Sequence, residues 1–520
     1  MGTLHCFFSR QQARHPPASE AATLETAPRG PLGTYTGRPG HPHRSPHVCP
    51  RSPHVCPRTP HVCPRTAHEI PSGGTARFRE RMPIFPWICG KLSRRQKGGH
   101  MEQKVIGGHA FPCAASTAAL GRPVSIPGER ITLKNAISVQ PLEGQDGTEG
   151  NAPGDYTRHR YRRFFESGAG LVWLESLAFE TDALSGPNAL MITQKNLDAY
   201  KRFVDELKDA HPDVAFIAQL THAGRFAQPE GRPAPVIATF NPHYDGRVKV
   251  DPDYPVVSDE YLDRVQESFV KGAELCRQAG FDGVDVKGCH GYLFSELLSA
   301  RSREGRYGGS FENRTRLLVE TIRAIKAQQG AGFVVASRIC HADTIPYPYG
   351  FGMAEDGSFD YDPAETLRLV GALHDAGVNL VNVSVGRVTA NAAYLPAGTP
   401  IPQDTNEDLF NRFFQGARLL SEAFPDMRFV GSGFSLLRGD APLVAAGAVE
   451  SGAVAVAGFG RMALAYPGFA DAMMNGAFDP ALTCTVCGNC YKLLRALEPT
   501  GCPTRDKDTY LPLLRQVLGK

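Results

Sequence analysis

Eight short runs of β-branched and small apolar residues, separated by longer stretches with apolar residues every three or four positions, constrain this chain most. The runs are AISVQP (136–141), GLVWLES (170–176), VAFIAQL (214–220), GVDVKG (283–288), FVVASRI (333–339), NLVNVSV (379–385), RFVGSG (428–433) and AVAVAG (453–458). They show little polar alternation, the mark of strands covered on both faces. Between them, 156–166, 261–278, 313–327 and 364–376 carry helical spacing, and small-residue turns such as SGAG (167–170) and DAGVN (375–379) precede the next strand. Repeated βα units build a parallel sheet, and eight strands are the number that closes it. The pattern predicts an α/β fold, a (β/α)8 TIM barrel; an open doubly wound sheet, the main rival, usually has fewer strands.

Residues 1–100 read differently. They are rich in Pro, Arg, His and Ser and contain SPHVCPR, SPHVCPR and TPHVCPR in tandem over 45–65. Such a composition does not assemble a core, so this head is expected to be disordered and low in complexity. Its repeated His and Cys point to repeated coding sequence more than to ligand geometry. Met101 opens the first globular stretch and is a candidate start. The prolines disfavour an amphipathic targeting helix. No apolar run reaches membrane-span length, and a net charge of +3 over 520 residues gives no case for nucleic-acid binding. Of the 13 cysteines, five lie in the head and four cluster near the C-terminus. That distribution argues for a reducing compartment, and a cytoplasmic location is expected.

In a barrel, chemistry gathers at the C-terminal ends of the strands. The first run ends in Gln140-Pro141-Leu142, where a proline can hold the backbone against a flat ring. The second ends at Ser176. The third ends at Gln219, whose amide both donates and accepts, followed by Thr221-His222-Ala223-Gly224-Arg225. Lys287, His290 and Tyr292 stand at the fourth, two nitrogen donors and a phenol suited to polarising a carbonyl and delivering a proton. Arg338 ends the fifth, and a guanidinium in an apolar strand needs an acceptor. Gly431-Ser432-Gly433 and Gly458-Phe459-Gly460-Arg461 make two consecutive small-residue turns, where exposed amides and Arg461 can cradle a phosphate. No GxGxxG unit follows a strand, so a mononucleotide is expected there.

Cys484, Cys487, Cys490 and Cys502 form the second signal. Three thiols in one tight loop and a fourth returning from a distance suit a 4Fe-4S cluster better than a zinc knot, which more usually has paired CxxC units.

Two motifs, QLTHAGR (219–225) and HGYL followed by YGGSFENR (290–293, 307–314), together resemble the old yellow enzyme family of FMN-dependent NAD(P)H:flavin oxidoreductases. The resemblance covers roughly 131–506. With the cysteines it is similar to the branch that includes 2,4-dienoyl-CoA reductase and trimethylamine dehydrogenase. It implies FMN over the strand ends, with Arg338 at the N1/O2 edge, and a substrate oxygen held by residues 287 and 290. It further implies that Tyr292 protonates the carbon opposite the hydride and that NAD(P)H donates the electrons. Relatives carry His where this chain has Lys287. A lysine is a full charge unless desolvated, which predicts a substrate with a carboxylate or strongly polarised carbonyl, or an enolate-like intermediate. Relatives also place Asp shortly before YGGS, where this chain has Gly305.

The expected activity is reduction of an activated C=C bond in an enone or unsaturated acid. Alternatives are amine dehydrogenation and an electron-transfer flavoprotein subunit fed by a separate electron-donor protein. The expected domains are the head (1–100), an FMN-binding barrel (101–480), and the cysteine motif with its tail (481–520).

Overall fold

The computed structural model describes residues 101–386 and 405–519; the expected disordered head, residues 1–100, lies outside them. Eight parallel strands close into a barrel: β1 Ile137–Val139, β2 Leu171–Leu177, β3 Ala215–Leu220, β4 Gly283–Val286, β5 Val334–Cys340, β6 Leu380–Ser384, β7 Arg428–Gly431 and β8 Val456–Phe459. β8 pairs back onto β1 through Phe459 and Val139. Each strand falls on one of the apolar runs, and the (β/α)8 expectation holds. β2, β3 and β5 are buried along their whole length, because the barrel interior covers one face and helices the other.

The crossover helices are α1 Asp155–Phe165, α2 Leu197–Ala210, α3 Asp259–Gln278, α4 Phe311–Gln329, α5 Ala364–Asp375, α6 Asn406–Ala423 and α7 Ala441–Glu450. Side-chain caps set three of their starts, Thr405 accepting from the Asp408 amide at α6. Ser258 accepts from the Tyr261 amide at α3, and Ser310, the serine of YGGS, accepts from the Asn313 amide at α4. The YGGSFENR stretch is thus a buttress: Tyr307 donates its hydroxyl to Asp263 on α3 at 2.5 Å, and Arg314 pairs with Glu365 on α5.

Inside the barrel, side chains alternate with the period of two that strand geometry imposes. Leu171 and Trp173, Ala215 and Ile217, Val334 and Ala336, with Leu380, Val430 and Val456, form one apolar cluster closed by Ile126 and Leu133 from a short hairpin. Two positions further along the same strands stand Gln219, Arg338, Asn382 and Ser432. The barrel therefore has an apolar floor and a polar mouth.

After β8 come two short helices, Arg461–Ala465 and Phe469–Met474, then α8 Asn489–Arg495 and α9 Lys507–Val517. α9 packs on α1: the ring centroids of Tyr510 and Tyr156 are 5.8 Å apart, and His159 Nε2 is 2.7 Å from Asp506 Oδ2. No helix among the described residues is long and apolar enough to cross a membrane.

Candidate active site

The polar mouth is held by two hydrogen-bonded groups. In one, Gln219 donates to Asp285 Oδ2 at 2.6 Å while the Arg338 amide donates to Asp285 Oδ1 at 2.6 Å, joining β3, β4 and β5. In the other, Asn382 donates to Gln140 Oε1 at 2.6 Å, and Gln140 Nε2 donates to Ser432 Oγ at 3.2 Å and to the Gly431 carbonyl at 3.4 Å. Gln140 lies flat against Gly458, where any Cβ would collide with its amide, which is why that position must be glycine. Gly431, Ser432 and Gly433 continue from β7 beside Gly458 and Gly460 from β8, as the paired turns predict. Arg461, expected at the same phosphate cradle, borders the pocket of the four cysteines.

Arg338 supplies a fit test for an anionic ring edge. The residue is 8% exposed, and its Nε is a buried donor with no acceptor among the described residues. A donor left so costs about 1–3 kcal/mol, which an acceptor seated at the mouth offsets. An edge that carries partial negative charge meets the requirement.

Burial pushes the Asp285 carboxyl up to about 7, against which its hydrogen bonds from Gln219 and the Arg338 amide work. The folded protein holds this proton where the unfolded chain releases it near 3.8. Its stabilising contribution is therefore complete below about pH 4 and lost as the pH rises through 7. Asp285→Asn is expected to flatten the decline of unfolding free energy between pH 5 and 7 by up to about 1.4 kcal/mol per pH unit. Urea denaturation over that range checks it; an unchanged slope counts against it.

Beyond the mouth, Lys287, His290 and Tyr292 come together as expected. Lys287 Nζ donates to Ser176 Oγ at 2.6 Å and lies 3.9 Å from the ring centroid of Tyr292. Burial holds the Lys287 ammonium below its usual range and lowers His290 as well, so both are weaker cations than surface residues. His290 adopts φ 67°, and its Nε2 is 2.8 Å from Ser384 Oγ at the end of β6. Tyr292 begins the helix Leu293–Leu298 and donates its hydroxyl to Glu143 Oε2 at 3.2 Å. Burial and that carboxylate raise the phenol well above its ordinary value. Glu143, His290 and Tyr292 border a cleft of about 280 Å³ that Tyr491, Leu494, Arg495 and Leu497 also line.

Local packing explains the placement of Tyr292. Gly224, at φ 56°, lets the loop after β3 touch the Leu293 backbone, and Leu293 N donates to the His222 carbonyl at 3.2 Å. His222 and Arg225 serve this scaffold. Arg225 is fully buried and bonds Glu296 at 2.6 Å and the Thr239 carbonyl at 2.5 Å. His222 Nδ1 accepts from Gly224 N at 3.0 Å, and its Nε2 lies 2.9 Å from Tyr261 Oη, which donates to Asp182 at 2.6 Å. Burial takes the imidazole down to about 4. Both ring nitrogens are engaged by the scaffold, although Glu180 and Asp182 lie close by.

The loop carrying Leu142 and Glu143 is fixed from below by a buried charge group that strand-end reasoning missed. Arg160 on α1 donates to both oxygens of Asp146 at 2.8 and 3.0 Å, to Glu175 at 2.5 Å and to the Leu142 carbonyl at 2.8 Å. Burial, with Asp146 adding to it, raises Glu175 to about 8. The carboxylate inside an apolar strand was the available signal.

Cys484, Cys487, Cys490 and Cys502 border one small pocket, together with Arg461. Among the described residues, Glu180, Asp182 and His222 are the set of three or more metal-type side chains whose ligand atoms all lie within 4.8 Å; the four sulfurs are spread more widely. A single tetrahedral zinc with bonds of about 2.3 Å would draw them to roughly 3.8 Å. Four thiols are a donor set that an iron-sulfur cluster or a zinc ion can take.

The sequence profile described as the NADH:flavin oxidoreductase / NADH oxidase family matches residues 120–408. The chain belongs to this family. Family relatives include a putative 12-oxophytodienoate reductase 4 of Oryza sativa subsp. japonica, 34% identical over 39% of this chain and 54% of that protein. An NADPH dehydrogenase of Bacillus cytotoxicus is 34% identical over 50% of this chain and 70% of that protein. The chain spans about half the length of several curated relatives it matches, 54, 60 and 38% for three of them. Among solved structures, a 2-naphthoyl-CoA reductase complex superposes with a TM-score of 0.60 at 20% identity, over 74% of this chain and 56% of that one. An old yellow enzyme homologue from Zymomonas mobilis gives 0.50 at 22% identity, over 69 and 93%. At these identities the likeness speaks to the barrel fold alone.

Proposed function

We propose that the protein is an FMN-dependent oxidoreductase of the old yellow enzyme type that reduces the C=C bond of an enone or unsaturated acid with electrons from NAD(P)H. The observation that carries this is the meeting of Lys287 with Tyr292 just past the end of β4, where Tyr292 and His290 border a cleft. Gln140, Pro141, Leu142, Ser176, Gln219 and Arg338 would hold the flavin ring, the buried Arg338 Nε answering its anionic edge. Gly431, Ser432, Gly433 and Gly460 would hold its phosphate, with Arg461 between that cradle and the cysteines. FMN bound there supplies the hydride.

The protein's own groups do the rest. Lys287 and His290 hold the substrate oxygen and draw electron density from the double bond. Tyr292 gives its proton to the carbon that gains negative character, on the side away from the hydride. A raised phenol pKa suits this step, since the proton stays on oxygen until the carbon becomes basic.

Cys484, Cys487, Cys490 and Cys502 are proposed to hold a 4Fe-4S cluster. All eight described cysteines are free thiols, which supports a reducing compartment such as the cytoplasm. An anaerobic absorbance spectrum, iron and sulfide assays, and titration with NADH, NADPH and enones test the reading. Bound flavin that NAD(P)H reduces and an enone reoxidises is the expected result. A colourless, iron-free protein after reconstitution overturns both cofactor assignments.

A further inference from the structure

The chain between Cys490 and Cys502 does two things at once. Cys490, in the first turn of α8, borders the cysteine pocket, as does Cys502 twelve residues further on. Between them, Tyr491, Leu494 and Leu497 border the cleft that also contains His290 and Tyr292. Leu493 packs inward against Tyr510 and Leu514, and Thr500 N donates to the Gly144 carbonyl at 2.8 Å, next to the residue that accepts from Tyr292. One span therefore has both ends at the proposed cluster and its middle on the proposed substrate.

We infer that residues 491–501 form the outer substrate wall and that occupation of the four thiols fixes this wall, so that cluster loading sets affinity for the distal part of the substrate. The inference rests on the proposed reaction site and cluster. Pinning both ends of the span removes conformations that a free loop samples, and a preorganised wall binds more tightly than one ordered by its ligand. The wall offers aromatic and aliphatic side chains, Tyr491, Leu494 and Leu497, with Arg495 among them. It suits an enone bearing an aryl or branched alkyl group, whereas a small cyclic enone reaches only Lys287, His290 and Tyr292.

The test uses the oxidised holoenzyme under anaerobic conditions, before and after iron is removed by oxidative chelation with FMN retained. Dissociation constants for 4-phenyl-3-buten-2-one and 2-cyclohexen-1-one are read from the flavin absorbance change, and hydrogen exchange is followed over 491–501. Iron removal is expected to weaken the aryl enone about tenfold, to move cyclohexenone less than about twofold, and to speed exchange in the span. Leu494→Ala, with its iron content retained, is expected to weaken the aryl enone about tenfold as well. Equal weakening of both enones, no weakening of either, or unchanged exchange overturns the coupling. A protein that takes up no iron overturns the cluster reading and the coupling with it. The binding constants do not depend on turnover, so loss of the proposed reaction registers separately, in a failure of either enone to reoxidise reduced flavin.

Discussion

Tyr292→Phe is expected to slow reoxidation of the reduced enzyme by an enone about 10²- to 10⁴-fold, the usual worth of a positioned proton donor. Reduction by NAD(P)H should stay within a few-fold of the parent. The substitution isolates the hydroxyl. A phenylalanine ring still packs beneath Lys287 Nζ, 3.9 Å from the ring centroid, so what disappears is the proton and its 3.2 Å bond to Glu143 Oε2. Stopped-flow absorbance separates the two half-reactions. If both rates slow together, Tyr292 supports the flavin site as a whole; if neither changes, the proton comes from elsewhere and the proposed reaction loses its acid.

Arg160→Met is expected to destabilise the fold by about 3–5 kcal/mol, the cost of leaving buried charge without its partner. Arg160 is 2% exposed and is the cation shared by Asp146 and Glu175, both with fully covered side chains. Lysine should rescue little, since one ammonium cannot reproduce the two-oxygen grip on Asp146 together with the bonds to Glu175 and the Leu142 carbonyl. Glu175→Gln should cost far less: burial already raises this carboxyl to about 8, so at pH 7 the amide replaces a largely protonated group and keeps an oxygen to accept from Arg160. Urea denaturation of the three variants at pH 7 decides between them. Similar losses for Arg160→Met and Glu175→Gln would show that packing, and not unpaired charge, dominates at this position.

Particular residues show how far the chain could be read without its fold. The eight apolar runs became eight strands because a strand covered on both faces has little choice but to be apolar throughout. Lys287, His290 and Tyr292 were legible together because they lie within six positions of one another after a strand. Gln219 and Arg338 were legible singly, as polar residues at the ends of apolar runs. Asp285, which joins them, was not singled out, since an acid in a strand gives no sign of which amides it will meet. Glu143 and Asn382 escaped for the same reason: their partners are 149 and 242 positions away. QLTHAGR read as one motif, yet the structure divides it. Gln219 faces the mouth, while His222 and Arg225 hold the loop that presents Tyr292.

The sequence by itself determined the barrel, the family, and the residue types available at each strand end, because covered strands, helix periodicity and turn chemistry are local properties. The tertiary structure alone decided which of those residues meet. Barrel closure brings β8 against β1 and sets Gln140 beside Ser432; the register of β3, β4 and β5 puts Asp285 between Gln219 and Arg338. The return of the chain to Cys502 lays α8 along the cleft. These contacts depend on three-dimensional closure between distant segments, and spacing along the chain does not encode them.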